Sequence, residues 1–270
     1  MRASMATANT DQIRDGMSQW ASAMSIYAST SANADTTRDN GLAKFWADSR
    51  FTLWNGLMLD EPVGDNEKLL SHLEHARSYM RGKIHTGLLY VCPEETTGFD
   101  FETTIVQCGF VRRLPLVGME LSELPPAPSA STTELDVVRV LDSKVAHDFA
   151  SVIAEVFRTD ISICRAEFVD KPFWRQDAFA YVAYLDREPV SVSTVIQNGD
   201  ALYVGLVCTR EQFRGRGYSY ATNRFALADA HADSALERAF LHASQLGIPV
   251  YEKLGFQSRM HVVGYALSAS

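Results

Sequence analysis

The sequence predicts an α/β (α+β) protein built as two lobes, and three observations carry that expectation. The first is a strand–turn–helix unit. A short apolar run, Ala201 to Leu206, reads as a buried strand, and Tyr220 to Ala232, free of Gly and Pro, reads as a helix. The second is an internal repeat. The stretch from Gly109-Phe110 through Arg113 and Val117-Gly118 to Leu121 lines up, at identical spacing, with Gly255-Phe256 through Arg259 and Val263-Gly264 to Leu267. The third is a break. Ser122 to Thr133 holds three prolines among Ser, Ala and Thr and has no apolar periodicity, so it reads as a semi-extended linker. The expected division is therefore a lobe over 1–121, a linker over 122–133 and a lobe over 134–270.

Taken in order, the first nine residues read as disordered. Asp11 to Tyr27 is next, a helix with Ile13, Met17, Trp20, Ala21 and Met24 on one face and Thr10 as its N-cap. Gly41 to Asp48 reads as helical and Phe51 to Leu59 as a strand. Asn66 to Arg81 is a helix on the spacing of Leu69, Leu70, Leu73, Ala76 and Met80. Gly87 to Val91 is a compact strand, and Phe101 to Cys108 leads into the first copy of the repeat. Past the linker, Glu134 to Leu141 reads as a strand, Lys144 to Phe157 as a helix and Asp160 to Trp174 as a helical region. Ala178 to Leu185 and Pro189 to Gln197 pair across Asp186-Arg187-Glu188, and Asn198-Gly199 turns into the central strand.

At 270 residues, 46% hydrophobic and 21% charged, the composition is that of a globular protein with ample core. No run of apolar residues is long enough to span a membrane, and the N-terminus lacks an apolar signal core. Cys92, Cys108, Cys164 and Cys208 show neither C-x-x-C pairing nor metal-ligand spacing, so they read as reduced thiols in a cytoplasmic protein and no metal is expected. The net charge of −8 argues against nucleic-acid binding and mildly favours a cationic or neutral substrate.

Between the strand and helix of the first observation lies Val207-Cys-Thr-Arg-Glu-Gln-Phe-Arg-Gly-Arg-Gly-Tyr-Ser219. A Gly- and Arg-rich turn feeding a helix presents backbone N–H groups and a partial positive charge to one point, which suits an anion, most often a phosphate. Gly215 and Gly217 allow close backbone approach, and Arg210, Arg214 and Arg216 can neutralise charge. There is no G-x-x-x-x-G-K-[ST], and Tyr220 stands where a dinucleotide fingerprint needs its third Gly.

The turn resembles the coenzyme A pyrophosphate loop of the GNAT superfamily of acyl-CoA-dependent N-acyltransferases, [Q/R]-x-x-G-x-[G/A]. Arg214, Gly217 and Ser219 meet it, with Ser in the final position. A second frame, Gln212, Gly215 and Gly217, fits the letters, while the first keeps the usual distance back to the strand. Leu241 to Phe256, with Ser244, Tyr251 and the Leu254-Gly255-Phe256 helix exit, is similar to the family's second signature. The resemblance covers about Glu134 to Leu267. It implies a tandem GNAT-like αβα sandwich with a mixed, mostly antiparallel sheet in each lobe.

By that resemblance, Val207, Cys208 and Thr209 bind the pantetheine arm, and the Cys208 N–H faces the thioester carbonyl. Arg214, Gly215, Arg216, Gly217, Tyr218 and Ser219 hold the pyrophosphate, and Ser244 contacts the arm where Asn is frequent. Tyr251 is the catalytic residue, a phenol able to protonate the departing thiolate. Cys208 as a nucleophile is set against its reading as a small hydrophobe. His242, Glu155, Glu167 and Asp177 are base candidates with no discriminating signal. The first lobe, acidic from Asp60 to Glu67 where an anion site needs donors, reads as a degenerate copy that does not bind coenzyme A; the alternative is chance similarity of two sheet-closing hairpins. The implied function is transfer of an acetyl group from acetyl-CoA to an amine of a small molecule or peptide, in a monomer or homodimer. The alternative is an acyl-CoA-binding regulatory module without turnover.

Overall fold

A computed structural model of the chain describes residues 9–125, 134–169 and 178–268. In the first half the elements are α1 (Thr10–Ala28), β1 (Arg38–Asp39), β2 (Leu42–Trp46), β3 (Asn55–Leu59), α2 (Asn66–Arg81), β4 (Leu88–Val91), α3 (Phe101–Gln107) and β5 (Phe110–Leu121). Then come β6 (Asp136–Arg139), α4 (Ser143–Phe157), α5 (Ile161–Phe168), β7 (Ala178–Leu185), β8 (Glu188–Asn198), β9 (Ala201–Thr209), α6 (Tyr218–Ser234), β10 (Ala239–Ala243), α7 (Ile248–Leu254) and β11 (Gln257–Leu267). Among the described residues no helix is long and apolar enough to cross a membrane.

The chain forms two compact units, but not as contiguous halves. One takes Met1–Met119, His242–Leu246 and Ser258–Ser270, the other Glu120–Leu241 and Gly247–Gln257. The expected lobe over 134–270 therefore loses its last strand to the first unit. There β11 runs antiparallel to β4, with Val263 opposite Val91 and Tyr265 opposite Leu89. Val263 and Tyr265 join Leu89, Val91 and Phe110 in one core, and burying those side chains holds the strand in place. Most of the expected linker, 126–133, lies outside the described residues.

In the first unit the strand order is β1-β2-β3-β4-β11-β5. The β3–β4 pair is parallel, whereas β1–β2, β2–β3 and β4–β11 are antiparallel. Successive side chains of a strand face opposite ways. Trp46, Leu57, Leu59, Leu89 and Val91 accordingly pack on Leu69, Leu73 and Ala76 of α2. On the other face Trp20 of α1 meets Phe45 at 6.1 Å and Tyr90 at 4.5 Å between ring centroids. The α1 cap is Asn9 rather than Thr10: its side chain accepts from the Gln12 N–H while Gln12 answers to the Asn9 N–H, a complete capping box.

Two local expectations change. Gly41 to Asp48 is not helical. Asn40 and Gly41, with φ of 51° and 73°, make the two-residue turn of a hairpin that places Asp39 opposite Leu42 and starts β2. The expected strand from Phe51 begins only at Asn55, because Thr52–Trp54 is a 3-10 turn. The long helix at Asn66–Arg81 is as expected, capped by the Asp65 side chain.

The second unit has the strand order β10-β9-β8-β7-β6, parallel only between β9 and β10. Tyr181 donates its hydroxyl to Asp229 on α6 at 2.7 Å, and Tyr184 donates to Asp148 on α4 at 2.8 Å, so helices cover both faces. Helix α6 begins at Tyr218, two residues before the expected start, and α5 ends at Phe168, with 170–177 outside the described residues. The sequence repeat is architectural: β3-α2-β4-α3-β5 and β9-α6-β10-α7-β11 share one plan. Each short helix ends at a glycine with left-handed φ, 85° at Gly109 and 100° at Gly255, and the Phe after it is buried. Each unit is an αβα sandwich with one parallel strand pair.

Candidate active site

The site is set by how β9 leaves its neighbours. It pairs with β10 at Leu202–Ala239, Tyr203–Phe240 and Val204–Leu241, and the pairing ends there. On its other side the register to β8 shifts, because Thr194 faces Gly205 but Val192 faces Cys208. Leu206 and Val207 therefore oppose Ser193 alone, which is a β-bulge. Leu206 holds a φ of 47°, a left-handed conformation costly for a branched side chain and retained only where packing dictates it. The bulge bends β9 and frees backbone on its β10 side from Gly205 to Thr209.

Beyond the bulge the chain makes a 3-10 turn at Glu211–Phe213 and enters the exposed segment from Arg214 to Gly217. Gly215 and Gly217 have φ of 76° and 82°, and a Cβ on either would meet nothing within 4 Å. The glycines are thus required by backbone conformation, and the space before them is open. Gly217 stands at the N-cap of α6, and no side chain caps that helix. The first-turn N–H groups, which no helix satisfies internally, are left to a ligand or solvent.

In the first unit the equivalent place is closed. The Asp65 carboxylate accepts from the Lys68 N–H at 2.7 Å and so occupies the helix end itself. The Val63 N–H donates to the Glu95 carbonyl at 2.8 Å, and the Thr97 N–H to the Val63 carbonyl at 3.2 Å, so the unit's own backbone bridges this region.

The arginines of the turn divide. Arg214 donates from Nε to the Thr209 carbonyl at 3.1 Å, which braces the turn against the end of β9, and the residue is exposed. Arg216 is exposed and lies 5.7 Å from the Phe213 ring centroid. Arg210 is committed elsewhere, 3.2 Å from Glu155 and 3.3 Å from Glu188, so it does not serve an anion in the turn. Tyr218 also departs from expectation in its side chain. The ring is buried beside Ala183 and Val190, and its hydroxyl donates to Glu134 at 2.6 Å, leaving the backbone N–H as what it offers the turn.

Tyr251 sits on α7, buried, its ring 6.0 Å from Phe256 and near perpendicular to it. No hydrogen bond to its hydroxyl is made by any described residue. Burial pushes its phenol well above the ordinary range, and the Cys208 sulfur adds to that. Cys208 is itself buried, and desolvation raises its thiol to about 12 against the opposing pull of Arg214. A thiol held there is not a nucleophile at neutral pH; it packs as a small apolar side chain.

Ser244 is exposed in the turn after β10, and its hydroxyl bonds to no described residue. His242 is half-buried in the first unit, stacked 4.2 Å from the Trp20 ring centroid. Desolvation there lowers it to about 3, so it is too weak a base to take a proton from an amine. Glu155 is occupied by Arg210, Glu167 is half-buried on α5, and Asp177 lies outside the described residues. Among the described residues no three His, Cys, Asp or Glu side chains are grouped to hold a metal ion. Sequence reasoning missed the Leu206 bulge, for which no local signal exists. It also passed over the hydroxyls of Ser191, Ser193 and Thr194, whose roles are legible once β8 is known to face the bulge.

A parted parallel strand pair, a bulge at the parting and an uncapped helix after a Gly–Arg turn make up the candidate site of the second unit's αβ fold. Residues 145–262 match the family model described as acetyltransferase (GNAT) domain, and that stretch of the chain is a GNAT acetyltransferase domain. Among solved structures, the chain is similar to a GCN5-related N-acetyltransferase from Kribbella flavida, with 16% identity over 98% of both chains and a TM-score of 0.69. It is also similar to a functionally unknown conserved protein from Staphylococcus epidermidis ATCC 12228 (14% identity, 88% of this chain and 95% of that one, TM-score 0.65). A third is a GCN5-related N-acetyltransferase from Sphaerobacter thermophilus (13% identity, 74% and 66% covered, TM-score 0.53). At such identities the likeness is one of fold. No curated protein matches the chain.

Proposed function

We propose that the second unit transfers an acetyl group from acetyl-CoA to an amine of a small molecule or peptide by direct attack in a ternary complex. The observation that carries this reading is the uncapped N-terminus of α6 beside the freed edge of β9. The first-turn N–H groups, with Arg214 and Arg216, suit a pyrophosphate. The edge from Gly205 to Thr209 suits the amide groups of a pantetheine arm laid down like an added strand. The Cys208 N–H is the proposed donor to the thioester oxygen as it gains charge.

In the reaction the amine nitrogen bonds to the thioester carbon, the C–S bond breaks, Tyr251 gives its proton to the departing sulfur, and the proton that the nitrogen sheds as the amide forms passes through solvent to restore the phenol. The raised phenol keeps Tyr251 in its donor form at every working pH. Its match to the thiolate survives, because sulfur leaving into the same low-dielectric space is made more basic too. Cys208, whose thiol burial raises, is proposed to take no covalent part. The first unit, closed where the second is open, is proposed to hold no coenzyme A. The test is calorimetric titration with acetyl-CoA, followed by thiol release across a panel of amines. Binding with amine-dependent release supports transfer. Tight binding without release from any amine points instead to a sensing module, and absence of binding overturns both.

A further inference from the structure

Thr222 and Asn223 on α6 are polar, and both are 0% exposed. Thr222 makes only a local bond, from its hydroxyl to the Tyr218 carbonyl at 2.8 Å. Asn223 reaches further. Its Oδ1 accepts from Ser193 Oγ at 2.9 Å. Its Nδ2 donates to the Ser219 carbonyl at 2.8 Å and lies 3.4 Å from Ser219 Oγ. Ser193 is the residue of β8 that faces the β9 bulge. Hydroxyls on either side of it hold the bulge's flanking carbonyls, Ser191 on Cys208 at 3.1 Å and Thr194 on Gly205 at 2.8 Å. One buried amide therefore joins the bulge to the first turn of α6.

The donor and acceptor inventory fixes its direction. A backbone carbonyl only accepts, so the amide nitrogen and not the oxygen must face Ser219. With one N–H on the carbonyl, the second is directed at Ser219 Oγ. A hydroxyl that receives a donor is left with its own hydrogen to give.

We propose that Asn223, supported by Ser193, is a positioning residue that orients the Ser219 hydroxyl as a donor to the pyrophosphate of coenzyme A. This rests on the proposed coenzyme site. Ser219 thus adds a side-chain donor at a turn otherwise built of backbone N–H groups and arginines, and the amide ties that donor to the bulge where the thioester lies.

The test is a double-mutant cycle in coenzyme A affinity on the full chain, using Asn223→Leu, Ser219→Ala and the double variant. Because Asn223→Leu strands the Ser193 hydroxyl, Ser193→Ala with Asn223→Leu is made as well, removing both ends of that buried bond. Asn223→Leu is expected to weaken coenzyme A about tenfold, the scale of a lost hydrogen bond to a charged group. In the Ser219→Ala background it should change affinity less than about twofold, which is the non-additivity of residues acting through one another. Where an amine substrate is in hand, KM for acetyl-CoA should rise with kcat little changed. Equal loss in both backgrounds, or no loss in either folded variant, overturns the positioning role while leaving the coenzyme site intact. A wild-type chain that binds no coenzyme A overturns the site and this inference together.

Discussion

Replacing Tyr251 by Phe separates chemistry from packing. The ring keeps its edge contact with Phe256, 6.0 Å between centroids, and only the hydroxyl is lost. Since no described residue bonds that hydroxyl, its removal breaks no hydrogen bond among the described residues and relieves a desolvated polar group. Stability should therefore hold within about 1 kcal/mol, with any change tending upward. The rate behaves otherwise. A lost general acid costs about 10²–10⁴-fold, or roughly 3–5 kcal/mol of barrier. The loss should fall equally on kcat and kcat/KM, with coenzyme affinity unchanged. The pH profile carries a further check. The folded-state phenol is raised, so its donor form persists below the ordinary value and is lost only as pH rises through the raised one. No limb from Tyr251 should appear below about pH 10. The assay is thermal unfolding together with steady-state thiol release over pH. A variant that keeps more than about half of wild-type kcat returns Tyr251 to a packing role. A high-pH limb near the ordinary phenol value that vanishes in the variant would contradict the burial argument.

Four further outcomes are expected. Titration should give one coenzyme A per chain, because Asp65 caps α2 while α6 is uncapped; two equivalent sites would refute the closed first unit. Gly217→Glu should abolish coenzyme binding, since a side chain is strained at a φ of 82° and its carboxylate repels the pyrophosphate; affinity within about threefold of wild type would sink the assignment. Acid should destabilise the fold through His242, whose folded value of about 3 lies below its unfolded 6.5. That stabilisation is complete above the unfolded value and is lost as pH falls toward the folded one, at about 1.4 kcal/mol per pH unit; urea midpoints for wild type and His242→Phe should run parallel above neutral pH and separate in acid. Gly41→Ala should cost at least about 1–3 kcal/mol, because the new Cβ would fall 2.0 Å from the His72 ring at a φ of 73°; an unchanged melting temperature would refute that strained packing.

Much of the candidate site's backbone was legible in the chain because its signals are local. Gly215 and Gly217 announce left-handed backbone, and the Gly–Phe pairs at 109–110 and 255–256 announce the same helix exit twice. The acidic stretch before α2 likewise announced a helix end already supplied with a carboxylate. Asn40-Gly41 was just as local a signal for a hairpin, and it outweighs the helical reading of the residues up to Asp48.

What tertiary structure alone decided concerns residues distant in sequence. Which unit receives β11 depends on Val263 and Tyr265 finding the core beside β4 rather than on any letter near them. Arg210 looks like its neighbours in the turn until Glu155 and Glu188 fold against it. Tyr218 reads as part of the turn until Glu134 takes its hydroxyl. Asn223 reads as an ordinary helical residue until Ser193 arrives from β8. The proton affinities of Tyr251, Cys208 and His242 belong to the same class, since desolvation is set by everything that surrounds a group. Sequence specifies backbone conformation and capping because those energies are fixed within a few residues. Pairing, burial and charge compensation are fixed only when the chain has folded.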